Sequence, residues 1–141
     1  MKKINHVLLI DDSEADNFFH KLIISETQLV QKLDAEQDCR KALHCWEKGC
    51  ATGNNERYPV PDLVFLDINM PAMNGFEVLD KLRTIPDPEH RLQKMKIFML
   101  TTSVNPDDRE RALQQYADLL AGFRIKPLTE NMFIEIVQQY F

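Results

Sequence analysis

An α/β fold built on a five-stranded parallel sheet is what this sequence predicts, and three observations predict it. Five short apolar runs alternate with segments of helical period along the chain. Four of those runs end in polar residues of complementary chemistry: Asp11 with Asp12, Asp67, Thr101 and Lys126. The 141 residues, 44% of them hydrophobic, suffice for one core and are expected to form a single domain over residues 1–141. Each strand–helix–strand step is a right-handed crossover, which leaves the strands parallel and both sheet faces covered by helices.

Residues 6–10 form the first strand, and Ser13 with Asp16 three positions on is a capping box that starts a helix through about Ser25. Phe18, Phe19, Leu22 and Ile23 supply its expected apolar face. A weaker strand around Leu29–Leu33 precedes a helix from Cys39 to Lys48, with Ala42, Leu43 and Trp46 at helical spacing and Gly49 as its expected stop. The stretch Cys50–Pro61, rich in Gly, Asn and Pro, is longer than a helix-to-strand connection needs and reads as a surface insertion. Strand 62–66 leads into the loop that opens at Asp67. Phe76, Val78, Leu79 and Leu82 then line a helix that ends near Thr84, and Ile85–Lys94 is a second polar excursion. Strand 97–100 ends at Thr101, and Asn105-Pro106 is a cap-then-proline start, with Asp107 and Asp108 favourable at the positive end of a helix that runs to about Tyr116. The last strand, Ala121–Ile125, reaches Lys126-Pro127, and Thr129 caps a final helix carrying Phe133, Ile136, Val137 and Tyr140 on one face.

Charge narrows the function classes. The net charge is −5 and the acids are scattered, so no basic face offers itself to nucleic acid or to an anionic membrane surface. Cys39, Cys45 and Cys50 lack any metal-binding or redox-pair spacing and read as small hydrophobes. The N-terminus, Met1-Lys2-Lys3-Ile4-Asn5, enters a strand without a long apolar signal, which points to a reducing cytoplasm.

The chemistry sits at the strand ends, because parallel strands bring their C-terminal tips to one edge, where open α/β sheets bind ligands. Adjacent Asp11 and Asp12 repel each other unless a cation compensates, which makes them candidate divalent-metal ligands. Mg²⁺ suits a sparse set of Asp11, Asp12, Asp67 and the backbone carbonyl of Asn69, since that ion keeps several waters and takes few carboxylates. Pro71 fixes one backbone angle after Asp67, and Gly75 permits an unusual angle or a close approach, so the loop presents its carboxylate without burying it. Such a carboxylate can act as a nucleophile toward phosphorus when donors neutralise the phosphoryl oxygens, and Lys126 and Thr101 are the donors at hand. Pro127 biases Lys126 to an extended backbone that projects its side chain from the strand end.

The chain resembles the response-regulator receiver domains of the CheY-like family over nearly all its length. The resemblance rests on Leu9-Ile10-Asp11-Asp12-Ser13, on Phe65-Leu66-Asp67-Ile68-Asn69-Met70-Pro71-Ala72-Met73-Asn74-Gly75, on Met99-Leu100-Thr101-Thr102-Ser103 and on Gly122-Phe123-Arg124-Ile125-Lys126-Pro127. It implies a flavodoxin-like strand order of 2-1-3-4-5 and makes Asp67 the phosphoacceptor. Asp11, Asp12 and the Asn69 carbonyl would hold Mg²⁺ beside Asp67, Thr101 would turn to hydrogen-bond the phosphoryl group, and Lys126 would pair with it. The Lys126-Pro127 peptide is expected to be cis. Phe123 stands where the family's switch aromatic is commonly a tyrosine, so contacts made by that hydroxyl are lost. Asn69 and Ser103 flank the site and are expected to tune the phosphoryl lifetime. The loops at 50–61 and 85–94 depart from the family pattern. They are expected on the edge opposite the site, and resemble loops of single-domain receivers that pair with phytochrome-type kinases.

The resemblance implies a stand-alone phosphoacceptor of a two-component system. A sensor histidine kinase or histidine phosphotransfer protein donates, and no enzymatic activity is expected beyond self-catalysed aspartyl phosphorylation and dephosphorylation. Signalling to a downstream protein target would pass through the helix after Asn105, the last strand and the final helix. With no output segment expected after Phe141, output goes by protein contact or onward phosphotransfer, from a monomer or from a homodimer joined through Ile134 and Phe141. A metal-dependent phosphatase with an aspartyl nucleophile would need an acid two residues after Asp67, where Asn69 stands instead. A nucleotide-binding domain would need glycines where the first turn reads Asp11-Asp12-Ser13-Glu14. A degenerate receiver that only binds partners is the remaining alternative.

Overall fold

A computed structural model describes residues 3–141. Strands β1 (Ile4–Ile10), β2 (Val30–Glu36), β3 (Leu63–Leu66), β4 (Lys96–Thr101) and β5 (Leu120–Ile125) alternate with helices α1 (Glu14–Glu26), α2 (Cys39–Thr52), α3 (Gly75–Thr84), α4 (Pro106–Gln115) and α5 (Glu130–Tyr140). All four pairings are parallel, in the order β2-β1-β3-β4-β5. The expected fold class and strand order are therefore the observed ones.

Alternation along the strands divides the core in two. Leu8, Ile10, Val64, Leu66, Ile97 and Met99 face Trp46 of α2 and Phe76, Leu79 and Leu82 of α3. Val7, Leu9, Leu63, Phe65, Phe98 and Leu100 face Ile24 of α1 and Phe133, Ile136 and Val137 of α5. A strand buried on both faces has no polar side to display, which is why these strands read as unbroken apolar runs.

Helix ends follow local chemistry. Asp38, Asn105 and Thr129 cap α2, α4 and α5 with side-chain oxygens, and Asn74 with Glu77 forms a reciprocal capping box on α3. The expected box on α1 forms by half. Ser13 Oγ accepts from Asp16 N at 3.2 Å, but the Asp16 carboxylate turns away and Asp11 Oδ1 takes the Ser13 N–H instead.

Two expectations are corrected. Gly49 does not stop α2: the helix continues to Thr52, and the left-handed residue at its end is Gly53, with φ of 68°. Gly49 is small because Tyr58 passes over it, and a Cβ there would lie 2.6 Å from the Tyr58 carbonyl oxygen. The second correction concerns α1. Phe18, Phe19 and Leu22 are exposed by 66%, 45% and 49%, while Asn17, His20 and Ile24 are buried. Packing at the polar end of the sheet selects that face, since Asn17 Nδ2 donates to the Asp11 carbonyl and His20 Nε2 accepts from Leu128 N.

The two long connections lie together at the N-terminal edge of the sheet. Arg91 Nη2 donates to the Gly53 carbonyl, and the Asp87 carboxylate takes the N–H groups of Arg91 and Leu92. Among the described residues no helix is long and apolar enough to cross a membrane.

Candidate functional site

The polar strand tips converge at the C-terminal edge of the sheet, Asp11 and Asp12 after β1, Asp67 after β3, Thr101 ending β4 and Lys126 after β5. Carboxylate oxygens of Asp11, Asp12 and Asp67 lie within 4.8 Å of one another. Asp11, Asp67 and Thr101 are buried at 5%, 6% and 0% exposure, and Asp12 is open to solvent. The burial corrects the expectation that the loop presents the Asp67 carboxylate without enclosing it.

Backbone bonds fix these side chains. Asp67 N donates to the Ile10 carbonyl, which sets the β3 tip beside β1, and Ile68 N donates to Asp67 Oδ1 at 2.9 Å. Gly75 N donates to the Ile68 carbonyl, folding the loop back so closely that a Cβ on Gly75 would lie 2.5 Å from the Asp67 carbonyl oxygen. Close approach, rather than an unusual backbone angle, is thus what position 75 requires. Lys126 N donates to the Thr101 carbonyl, and the Lys126-Pro127 peptide is cis, as expected.

Lys126 Nζ donates to Asp11 Oδ2 at 2.5 Å and to Asp16 Oδ2 at 2.8 Å, and stands 3.6 Å from Asp67 Oδ2. Burial by itself would lower the pKa of this lysine, but Asp11, Asp16 and Asp67 outweigh it and push the value up to about 12. Burial pushes the Asp67 carboxyl above its ordinary range; Lys126 opposes that and the Asp11 charge adds to it. Asp16 is held below the usual carboxylate range by its bond to Lys126. Burial depresses His20, and the Lys126 charge depresses it further.

Asp11, Asp12, Asp67, Thr101 and Lys126 all stand at strand tips on this edge, as expected, whereas Phe123, Ser103 and Asn69 are placed otherwise. Phe123 is buried in the core cluster that includes Met99 and Tyr116. Ser103 Oγ donates to Asp108 of α4 at 2.6 Å, although its N–H reaches Thr101 Oγ1. Asn69 is exposed in the loop after Asp67. The sequence reading missed Asp16, Asn17 and His20 as parts of the site. Asn17, His20 and Ile24 at i, i+3 and i+7 do share one helix face, but Phe18 and Phe19 mask that pattern.

The donor set fits a hard divalent cation: three carboxylates converge, none is tied up by an arginine, and two of the three are buried with one cation between them. The sequence profile of the response regulator receiver domain matches residues 7–138. The chain belongs to that family. Receiver domains commonly bind Mg²⁺ at an acidic pocket of this kind and serve two-component signalling. Among curated relatives, Response regulator Rcp1 of Synechocystis is 31% identical over 102 residues, which covers 72% of this chain and 65% of Rcp1, just under two thirds of that protein. Among solved structures, the two-component response regulator of Cytophaga hutchinsonii superposes with a TM-score of 0.82 at 28% identity, covering 99% of this receiver domain and 98% of that chain. A response regulator receiver protein of Dyadobacter fermentans superposes with a TM-score of 0.78 at 22% identity, covering 97% and 98%, and shares the fold.

Proposed function

We propose that this receiver domain, one domain over residues 1–141 in the cytoplasm, accepts a phosphoryl group on Asp67 from a phosphohistidine of a sensor kinase or phosphotransfer protein. The observation that carries this reading is the placement of the buried Asp67 carboxylate 3.6 Å from Lys126 and beside Asp11 and Asp12 at one sheet edge. A carboxylate oxygen of Asp67 attacks phosphorus, the P–N bond to the donor imidazole breaks, and the imidazole nitrogen takes the electron pair. The product is an aspartyl acyl phosphate. Asp11, Asp12, Asp67 and the Asn69 carbonyl would hold Mg²⁺, which when bound would supply charge neutralisation at the phosphoryl oxygens. Lys126 pairs with a phosphoryl oxygen as a point charge, and Thr101 turns its hydroxyl to a second. Asp67 keeps one oxygen fixed by the Ile68 N–H, which leaves Oδ2, the atom nearest Lys126, as the nucleophile.

Movement of Thr101 opens space beside β4 into which Phe123, the neighbour of Met99 across the β4–β5 ladder, can shift. The phosphoryl group thereby biases a two-state surface made by α4, β5 and α5. Val104, Leu113 and Ile125, exposed by 82%, 48% and 41%, give that surface apolar groups for a downstream protein. On the other side of the site, Phe18, Phe19 and Leu22 of α1 give the donor protein an apolar landing face.

Intact mass after incubation with acetyl phosphate and Mg²⁺, run beside Asp67→Asn and a chelated control, tests the reading. One added phosphoryl group absent from both controls is the expected result. No adduct and no stable beryllofluoride complex would overturn it in favour of a module that only binds partners.

A further inference from the structure

Asp16 sits in the first turn of α1, where its backbone N–H donates to Ser13 Oγ, yet its carboxylate leaves the helix end. That carboxylate accepts from Lys126 Nζ at 2.8 Å, while Asp11 Oδ2 accepts from the same ammonium at 2.5 Å. An ammonium has three donors. Two go to Asp11 and Asp16, and Asp67 Oδ2, at 3.6 Å, lies beyond a hydrogen bond. The Lys126 side chain is only 9% exposed, so the carboxylates around it, rather than bulk water, decide where its charge sits. Asp11 also belongs to the three-acid cluster. Asp16 lies outside that cluster and is left to Lys126.

We propose that Asp16 is a positioning residue that tethers Lys126 to α1 and competes with a phosphoryl group on Asp67 for the lysine's charge. The proposal rests on the phosphoacceptor reading of Asp67. In the resting chain the tether holds the ammonium short of Asp67, and a phosphoryl oxygen must draw it across to form a full hydrogen bond. Position 16 therefore sets phosphoryl affinity through Lys126 without touching the phosphoryl group. With its side chain 41% exposed, Asp16 makes a pair of limited strength, which suits a setting to be overcome rather than a permanent lock.

The probe is beryllofluoride, a phosphoryl mimic, titrated at saturating Mg²⁺ and followed by fluorine NMR. Asp16→Asn is expected to bind it roughly fivefold more tightly than the wild-type chain. Asp16→Glu should return toward wild type, and Asp16→Asn should have no effect in a Lys126→Met background. Equal tightening in that background would mean that Asp16 acts by its own charge on the anion, which overturns the tether, as would equal affinities of wild type and Asp16→Asn. The Lys126 ammonium signal, read by NMR in the ligand-free chains, decides the matter even where Lys126→Met binds nothing. Loss of its exchange protection in Asp16→Asn with recovery in Asp16→Glu supports the tether, and an unchanged signal overturns it. Failure of the wild-type chain to bind beryllofluoride would instead remove the phosphoacceptor reading.

Discussion

Replacing Asp67 by Asn should make the fold more stable in the absence of metal, and the size of the gain can be worked from the site. With an effective dielectric of about 20, Lys126 at 3.6 Å attracts the Asp67 charge by about 4.6 kcal/mol, and Asp11 within 4.8 Å repels it by at least about 3.5 kcal/mol. The two pair energies nearly cancel, leaving at most about 1 kcal/mol of attraction. Burial at 6% exposure costs several kcal/mol for an ionised carboxylate, so the charge is a net burden on the fold. That balance agrees with a carboxyl pushed above its ordinary value of 3.8, burial being the main cause. Asparagine keeps the oxygen that accepts from Ile68 N and removes the charge. The expected gain is about 1 kcal/mol at pH 7 in EDTA, within the range of single stabilising substitutions at functional sites. The sign with pH follows from linkage. A raised folded-state pKa means the penalty is present in full above that pKa and is relieved as pH falls toward 3.8, because the folded chain takes up the proton first. The advantage of Asp67→Asn should therefore shrink steadily as pH is lowered from 7 toward 4. Added Mg²⁺ should reverse the order, since only the wild-type chain keeps all three carboxylates and gains stability by mass action. Urea unfolding of both chains, in EDTA and in Mg²⁺ across that pH range, measures all three effects. An Asp67→Asn chain less stable than wild type at pH 7 in EDTA would refute the reasoning.

Gly75→Ala places a methyl group 2.5 Å from the Asp67 carbonyl oxygen, so a loss of about 1–3 kcal/mol in urea unfolding, together with slower labelling by acetyl phosphate, is expected. His20 is neutral and buried, with Lys126, Asp16 and Asp11 around it, and its pKa is lowered chiefly by burial. The unfolded chain therefore binds the extra proton first as pH drops through 6.5, and stability falls below that point. His20→Gln should flatten the stability profile between about pH 6.5 and 5, and an unchanged slope would count against the buried neutral imidazole. Phe18→Ser, on the exposed face of α1, should shift stability by less than about 0.5 kcal/mol. It should slow phosphotransfer from a protein donor while labelling by acetyl phosphate stays unchanged, and equal loss with both donors would argue against docking through α1.

Much of this molecule is legible in its sequence because the relevant physics is local. Period and run length give the five strands, and Ser13, Asn105 and Thr129 mark helix starts because a side-chain oxygen within reach of the next N–H groups is a local event. The strand-tip residues Asp11, Asp12, Asp67, Thr101 and Lys126 are equally readable, since a parallel sheet brings strand ends together by topology alone. Close packing decided the rest. Gly49 has the look of a helix stop, but the carbonyl of Tyr58, nine positions on, makes it a helix-interior glycine and leaves the stop to Gly53. Phe18 and Phe19 outrank Asn17 and His20 on any hydrophobicity count, yet the latter pair is buried, because the Asp11 carbonyl takes the Asn17 amide N–H and the Leu128 N–H donates to the His20 ring at the sheet edge. Asp16 took the form of a capping residue until Lys126, 110 positions away, claimed its carboxylate. The sequence by itself determined which strands form and which chemistry stands at their tips. Only the tertiary structure decided which helix face is buried, which glycine ends α2 and which carboxylates share the lysine, because each depends on groups distant in the chain competing for the same few ångströms.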